Sequence, residues 1–218
     1  MSTITTGTSV GGGLLHDSDT TGNLVIKTGV SAATTATFHS NLATTFAGNI
    51  HVNSISTPIR PLVSGTANTS ISGTLVNFPS IPSWAKRVTV LLGNCSTSGG
   101  SQWQLRLGTS SGIESTGYTG GLQYLTGDYP GAVGIYKHTA GLGFAGPASA
   151  AGVLNGRVII ENLTGNTWIM TGQLSDEIGR GWYSNSQKIL AGVLDRVQVT
   201  TVNGTDLFDL GTINIMWE

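Results

Sequence analysis

Charge is scarce in this 218-residue sequence. Ten Lys and Arg residues face eleven Asp and Glu residues, the formal net charge is -1, and charged residues make up 10% of the chain. Soluble proteins usually carry about 25%. A protein that binds nucleic acid needs a basic surface to neutralise phosphates, so we expect no nucleic-acid partner.

Cysteine and long apolar runs are nearly absent as well. Cys95 is the single cysteine, so no disulfide can form within the chain and stability must come from packing or oligomerisation. The first ten residues lack the basic and apolar regions of a signal peptide, and no stretch approaches the ~18 apolar residues of a membrane span. We therefore expect a soluble protein that is made in a cytoplasm and does not insert into membranes.

The residues that are abundant favour β-structure and turns. Glycine occurs 32 times, and no run has a sustained helical period with caps. Trp103, Leu105 and Leu107 alternate with polar residues, which predicts a strand buried on one side only. Val88, Val90 and Leu92 alternate with Arg87, Thr89 and Leu91, so the second face of that strand carries a leucine that another subunit could cover. We predict an all-β head of about eight or nine strands, an antiparallel β-sandwich of the jelly-roll kind.

Two hairpins have local signals. The first turns at residues 163–166, between the strands that contain Ile160 and Trp168. The second turns at Asn203-Gly204, the favoured pair for a two-residue hairpin loop. On the return strand the apolar residues change from even-numbered to odd-numbered positions. A β-bulge at Gly211 would add one residue and so keep these side chains on the inward face of the strand.

The proline-containing segment 57–61 predicts a boundary between residues 1–60 and 61–218. Before it, short β-prone pieces at 23–27, 37–39, 44–46 and 49–55 are separated by small and polar residues. None of these pieces can build a core alone, so they would bury their surface best against copies from other chains. We predict a short intertwined β-structured stalk that also attaches the protein to its assembly.

Aromatic residues in two polar, glycine-rich segments are the candidates for a contact surface. We interpret 115–151 as loops and short strands and 175–187 as a further polar loop. Tyr and Trp offer rigid amphipathic contact area to sugars or proteins. The alternative is that these rings pack the loops onto the sandwich. The candidates are Tyr118, Tyr124, Tyr129, Tyr136, Trp182 and Tyr183.

Several motifs resemble catalytic or cofactor-binding sites, but the residues around them do not fit such sites. Residues 141–146 match the dinucleotide-binding glycine pattern, but Pro147 opposes the helix that a pyrophosphate requires. Residues 17–22 resemble the start of a calcium loop but lack its final glutamate. The carboxylates of Asp128, Asp176 and Glu177 are interpreted as loop caps rather than as an acid–base pair. We expect no enzyme activity, no cofactor and no metal site within one chain.

Several motifs, in order, carry a family resemblance. They are Ile81-Pro82-Ser83-Trp84-Ala85-Lys86-Arg87-Val88-Thr89-Val90, Gly112-Ile113-Glu114-Ser115-Thr116-Gly117-Tyr118, Leu194-Asp195-Arg196-Val197 and 201–214. Together they resemble the C-terminal head domain of tail fibres from tailed bacteriophages, over roughly residues 62 to 218. Residues 21–29 resemble strands in the shafts of such fibres. The resemblance implies a homotrimeric virion fibre with a β-structured shaft and a head whose loops touch the host.

The sequence thus predicts a virion structural protein, a phage tail fibre that is assembled in the host cytoplasm. Residues 1–60 would bind other tail or capsid proteins, and residues 61–218 would adsorb to a surface glycan or protein of the bacterial host. The alternative is a capsid or collar fibre, or a decoration protein, with a purely structural role.

Overall fold

Every regular element among the described residues is a β-strand, as the composition predicts. The computed structural model describes residues 61–69, 72–125, 133–147, 149–150 and 152–218, together with the backbone of four strands within residues 1–60. The chain divides into two units, 1–60 and 61–218. The described residues include no helix long and apolar enough to cross a membrane.

The first unit contains a four-stranded antiparallel meander. Its strands are β1 (Leu15–Ser18), β2 (Leu24–Thr28), β3 (Ala33–Phe38) and β4 (Thr44–Phe46). These strands pair with one another within one chain. The strand β1 was not predicted from the sequence, and the predicted strand at 49–55 lies outside the described residues. An intertwined stalk of several chains stays a prediction.

The second unit holds thirteen strands within its described residues. In most of these strands, buried and more exposed side chains alternate, as expected for a strand with one face toward the core. They are β5 (Val63–Ser64), β6 (Leu75–Phe78), β7 (Arg87–Thr97), β8 (Trp103–Thr109), β9 (Gly112–Ile113), β10 (Tyr118–Leu125), β11 (Val133–Lys137), β12 (Leu142–Ala145), β13 (Leu154–Thr164), β14 (Thr167–Asp176), β15 (Gly181–Ile189), β16 (Arg196–Thr201) and β17 (Phe208–Trp217).

These strands form two antiparallel sheets that enclose a hydrophobic core, a sandwich-like arrangement. The larger sheet has the order β11-β10-β15-β14-β13-β7-β17-β5. The smaller sheet has the order β12-β8-β16-β6, with β9 paired to β8. The consecutive strands β13, β14 and β15 are neighbours in a meander, and the jelly-roll topology stays a prediction.

The core contains the apolar residues that the alternation singles out. Val88 and Val90 of the larger sheet and Leu105 and Leu107 of the smaller one are fully buried. Trp103 is also fully buried, and its ring makes edge contacts with two phenylalanines, with centroid distances of 6.3 Å to Phe144 and 5.0 Å to Phe208. The Trp103 indole N–H donates to Thr97 Oγ1.

The prediction that the strand at 103–107 is buried on one side only is wrong. Gln104, on its polar face, is buried, and its amide nitrogen donates to the backbone oxygen of Thr201 at 3.3 Å. Arg106, next on that face, donates through Nε to the backbone oxygen of Ala140. The segment that precedes β12 therefore covers this face, a contact with no local signal.

The predicted hairpin at Asn203-Gly204 is also wrong, although its turn forms. Gly204 has a φ of 68°, and the amide oxygen of Asn203 accepts hydrogen bonds from the backbone of Thr205 and Asp206. The flanking strands do not pair with each other: β16 joins β8 and β6, whereas β17 joins β7 and β5. The turn carries the chain from one sheet to the other.

Two local predictions are confirmed. The strands β13 and β14 form a hairpin whose turn lies at residues 165–166. The pairing of β17 with β7 shifts register on both sides of Leu210, and Gly211 has a φ of 100°. This bulge accounts for the parity change between Phe208 and Ile213, both of which are buried.

The interpretation of 175–187 as a polar loop is wrong. After a short turn the chain forms β15, which lies near the middle of the larger sheet between β10 and β14. Its inward residues after Trp182 are polar, namely Ser184, Ser186 and Lys188, and all three are buried. Because these inward residues are polar, the apolar alternation that identifies a strand is missing.

Candidate functional site

The structure places the six candidate aromatic residues in different environments. Tyr118 is 1% exposed and Trp182 is 2% exposed, so both rings lie in the core. Tyr136 is 37% exposed and Tyr183 is 42% exposed. Tyr124 packs partly buried against the core. Tyr129 lies outside the described residues.

Tyr118 fixes a loop to the smaller sheet. Its hydroxyl accepts a hydrogen bond from the backbone N–H of Leu107 at 2.8 Å and donates to the backbone oxygen of Glu114 at 2.6 Å. Burial raises the pKa of Tyr118 to about 12. A ligand at the surface of this structure cannot touch the ring.

Trp182 and Tyr124 form one aromatic cluster with a charged turn. Their ring centroids are 4.9 Å apart, and the guanidinium carbon of Arg180 lies 5.3 Å from the Tyr124 ring and 5.2 Å from the Trp182 ring. Such distances permit cation–π attraction. The fully buried carboxylate of Asp176 accepts from the backbone N–H of Arg180 at 2.9 Å and also pairs with the Arg180 Nε. The sequence interpretation of Asp176 as a loop cap agrees with these contacts.

Tyr136 and Tyr183 lie on opposite faces of the larger sheet. Tyr136 is directly opposite Leu122, which is buried in the core, so Tyr136 shares the inner face near the sheet edge. Tyr183 follows Trp182 in the same strand and therefore points away from the core. Tyr183 is thus the one described candidate on the outer face.

The neighbours of Tyr183 are uncharged amides. Gln123 of β10 and Gln173 of β14 lie directly opposite Tyr183 on the two adjacent strands. Asn185 lies on the same face two residues along β15, because side chains of a strand alternate between faces. Amide side chains offer both donors and acceptors. A polar, uncharged surface therefore surrounds the ring, and we call the residues Gln123, Gln173, Tyr183 and Asn185 the Tyr183 face.

The Tyr183 ring lies along the sheet rather than standing away from it. A methyl group at Gly181 would lie 3.1 Å from Cε2 and 3.3 Å from the hydroxyl oxygen of Tyr183. The ring therefore leans along its own strand over Gly181, and this close approach depends on the missing side chain there.

Shallow depressions adjoin Tyr183 on both sides. One, of about 340 Å³, lies toward β13 and contains Asn155, Gly156 and Gln173. Another, of about 270 Å³, lies toward β10 and contains Gly121 and Gln123. A third, of about 520 Å³, continues from Asn185 to Ile169 and Gln187. None of the residues that line these three depressions carries a charge.

Two larger clefts lie elsewhere in the second unit and share Ile81. One, of about 670 Å³, is lined by hydroxyl and amide side chains together with Trp217. The other, of about 640 Å³, contains the carboxylates of Glu114 and Asp195. Asp195 pairs with Arg196 at 2.7 Å, so its charge is compensated. None of the five described candidate aromatics lines either cleft.

The remaining titratable groups of the interior serve packing. Burial raises the pKa of Cys95 to about 11, so its thiol is protonated at neutral pH and is a poor nucleophile. Burial lowers the pKa of His138, whose ring packs closely against Gly143. Residues 142–145 of the glycine-rich pattern form β12, and the described residues that follow the pattern include no helix. Within the described residues, no three His, Cys, Asp or Glu side chains form a metal-binding group.

Sequence reasoning selected Tyr183 but missed the amides around it. Gln173 and Gln123 come from strands that are 50 residues apart in the sequence, and only the pairing of β10, β15 and β14 brings them together. Comparison with protein-family models, curated proteins and solved structures finds no match to this chain, so the site is interpreted from its own geometry.

Proposed function

We propose that this chain is a fibre protein of a tailed-bacteriophage virion and that it adsorbs to the bacterial surface through residues 61–218. The motifs at 81–90, 112–118 and 194–197 support this assignment by their resemblance to fibre heads. An all-β sandwich-like second unit is compatible with it. Under this proposal the protein is a homotrimer, and residues 1–60 are the stalk that attaches to other virion proteins.

The observation that carries the binding role is the exposure of Tyr183 on an uncharged sheet face. An aromatic ring that is 42% exposed and leans over Gly181 offers contact area at low entropic cost. Three heads in one fibre would convert weak contacts into useful avidity, because the second and third binding events are effectively intramolecular.

Competition with the phage tests this proposal. The purified full-length chain is added to the host bacterium before the phage, and the rate of adsorption is measured. We expect the protein to slow adsorption, the Tyr183→Ala variant to lose most of that effect, and the Tyr136→Ala variant to retain it. Tyr136 is the matched control because it is a tyrosine of similar exposure on the other face. Unchanged adsorption in the presence of the parent protein would refute the receptor-binding role.

A second candidate is supported by the other half of the same outer face. Thr89 of β7 lies directly opposite Ile159 of β13 and Met216 of β17, and all three side chains are partly exposed. Leu91 is partly exposed on the same face of β7. The core of a protein–protein interface is more apolar than the rest of the surface and is enriched in methionine. A capsid or collar fibre, or a decoration protein, would use this surface to join virion proteins and would leave adsorption unchanged.

A further inference from the structure

We infer that the Tyr183 face recognises an uncharged saccharide. The inference rests on the proposed function and names the chemical class of the receptor. It departs from the expectation that loops of the head make the contact, since the residues involved lie within strands of the larger sheet.

The depressions around Tyr183 form one continuous track across the sheet. Tyr183 lines both the depression toward β13 and the depression toward β10. Asn185 lines the latter and also the third depression, which reaches Ile169 and Gln187. The track crosses β13, β14, β15 and β10, and four adjacent strands span about 14 Å at ~4.8 Å per strand. A surface of this length suits a chain of several sugar units rather than a single one.

The charged residues near the track help to distinguish a neutral saccharide from an acidic one as the ligand. The nearest charged residue in the cross-strand row of Tyr183 is Arg157, which is opposite Gln173 and therefore two strands, about 10 Å, from Tyr183. Lys137 lies opposite Gly121 at the other end of the track, and neither Arg157 nor Lys137 lines any of the three depressions. Glu161, which lies opposite Ile169, pairs with Arg87 at 2.9 Å, and Arg87 also pairs with Glu218. Since only uncharged residues line the depressions, the track offers an acidic saccharide no ion pair there, and a neutral saccharide needs none.

The polar groups of the track match sugar hydroxyls. A hydroxyl group both donates and accepts, and so do the side-chain amides of Gln123, Gln173 and Asn185. The apolar face of a sugar ring can pack on Tyr183, which lines two of the depressions.

The track is held by a well-packed sheet, so little ordering is needed on binding. On the inner side of β15, Trp182 and Ser184 are buried, which fixes the strand that carries Tyr183 and Asn185. The ring position itself depends on Gly181, because an added methyl group there would press on Cε2 at 3.1 Å.

Binding of defined oligosaccharides tests the inference. The full-length protein is applied to immobilised neutral oligosaccharides built from glucose, galactose or N-acetylglucosamine, and to matched oligosaccharides that contain uronic acid or sialic acid. We expect binding to at least one neutral probe, and we expect an increase in salt from 50 to 500 mM to change its affinity by less than about twofold, since no ion pair is formed. Binding to acidic probes alone, or to none of the probes, would overturn the inference.

Variants locate the site. Tyr183→Ala should weaken binding at least about tenfold, Tyr183→Phe should retain it within about threefold, and Tyr136→Ala should leave it unchanged. Gly181→Ala keeps the tyrosine but shifts its ring slightly, so it should weaken binding less than Tyr183→Ala does. Urea unfolding of each variant verifies that the fold is intact. Equal losses in the Tyr183 and Tyr136 variants would place the ligand elsewhere and refute the assignment.

The two proposals fail in different ways. If the protein slows phage adsorption but binds no neutral probe, the proposed function stands and the saccharide inference is wrong. If it binds a neutral probe through Tyr183 but does not slow adsorption, the site stands and the role as an adsorption fibre is wrong.

Discussion

Lys188 and Glu114 form an ion pair inside the second unit, with 2.6 Å between Nζ and Oε2. The Lys188 side chain is 7% exposed and the Glu114 side chain is 22% exposed. The Lys188 ammonium also lies 5.2 Å from the centroid of the Tyr118 ring, and the other oxygen of Glu114 accepts from the backbone N–H of Ala191. The pair thus ties β15 to the loop that leads into β10.

Breaking this pair should be costly, and unequally so for the two partners. Glu114→Gln leaves a nearly buried ammonium without its counter-charge and should lower the free energy of unfolding by about 3 kcal/mol. Lys188→Met should cost less, because the remaining carboxylate is more exposed and keeps its bond from Ala191. The double variant should be more stable than Glu114→Gln. Urea unfolding at pH 7 measures all three, and additive losses in the double variant would contradict the coupling.

The same pair predicts an acid-sensitive stability. Burial alone would raise the pKa of Glu114, but the hydrogen bond from Lys188, the bond from Ala191 and the charge of Lys188 together lower it below the ordinary value of 4.5. A lowered carboxylate pKa gives stability that is present above the unfolded value and is lost as pH falls through the folded value. Glu114→Gln should therefore lose less stability than the parent protein between pH 5 and pH 3. Parallel curves for the two proteins would exclude this role.

His138 predicts a second pH range in which the stability of the protein changes. Burial lowers its pKa below the ordinary value of 6.5, and its Nε2 is buried without a hydrogen-bond partner among the described residues. The unfolded chain then binds the proton more readily, so stability is full above about pH 6.5 and falls as pH is lowered toward the folded pKa, by at most about 1.4 kcal/mol per pH unit. Replacement by Gln should flatten the profile between pH 6.5 and 5. The difference between the stability profiles of the parent protein and the variant gives the contribution of His138, because both proteins contain the histidines in 1–60.

The bulge at Gly211 should not tolerate a side chain. Its φ is 100°, and a Cβ there would lie 2.4 Å from the backbone oxygen of Asn94. Gly165, in the β13–β14 turn, is the control, since it has a φ of 50° and no atom within 4 Å of an added Cβ. Gly165→Ala should cost about 1 kcal/mol from the left-handed conformation alone, and Gly211→Ala should cost clearly more. Thermal unfolding compares the two, and equal costs would mean that the bulge can relax.

The carboxylate of Asp176 should be essential to the 176–181 turn. It is buried and accepts from the backbone of Ile178 and Arg180 as well as from the Arg180 side chain. Asp176→Asn removes the charge and part of this acceptor capacity, so it should lower the free energy of unfolding by about 2 to 3 kcal/mol. Glu177→Gln is the matched control, because Glu177 accepts one backbone bond, from Val153, that an amide oxygen can also accept. Urea unfolding measures both variants, and similar losses would show that the turn is held by other contacts.

The sequence by itself determined the features that depend on neighbouring residues. Alternation identified the buried positions Val88, Val90, Leu105 and Leu107, because a strand's side chains point to opposite faces with a period of two. The glycine-containing loop at 163–166 predicted the first hairpin turn, which the structure places at 165–166. The parity of the apolar residues located the bulge at Gly211.

Only the tertiary structure decided which strands meet and which faces are covered. The turn at Asn203-Gly204 has a hairpin sequence, yet its two strands belong to different sheets, where β16 pairs with β8 and β17 pairs with β7. Ser184, Ser186 and Lys188 face the interior through contacts that no local pattern encodes, which concealed β15 and hence the outward position of Tyr183. Pairing between strands far apart in the sequence is a property of the whole chain, and this pairing assembles the amides around the tyrosine.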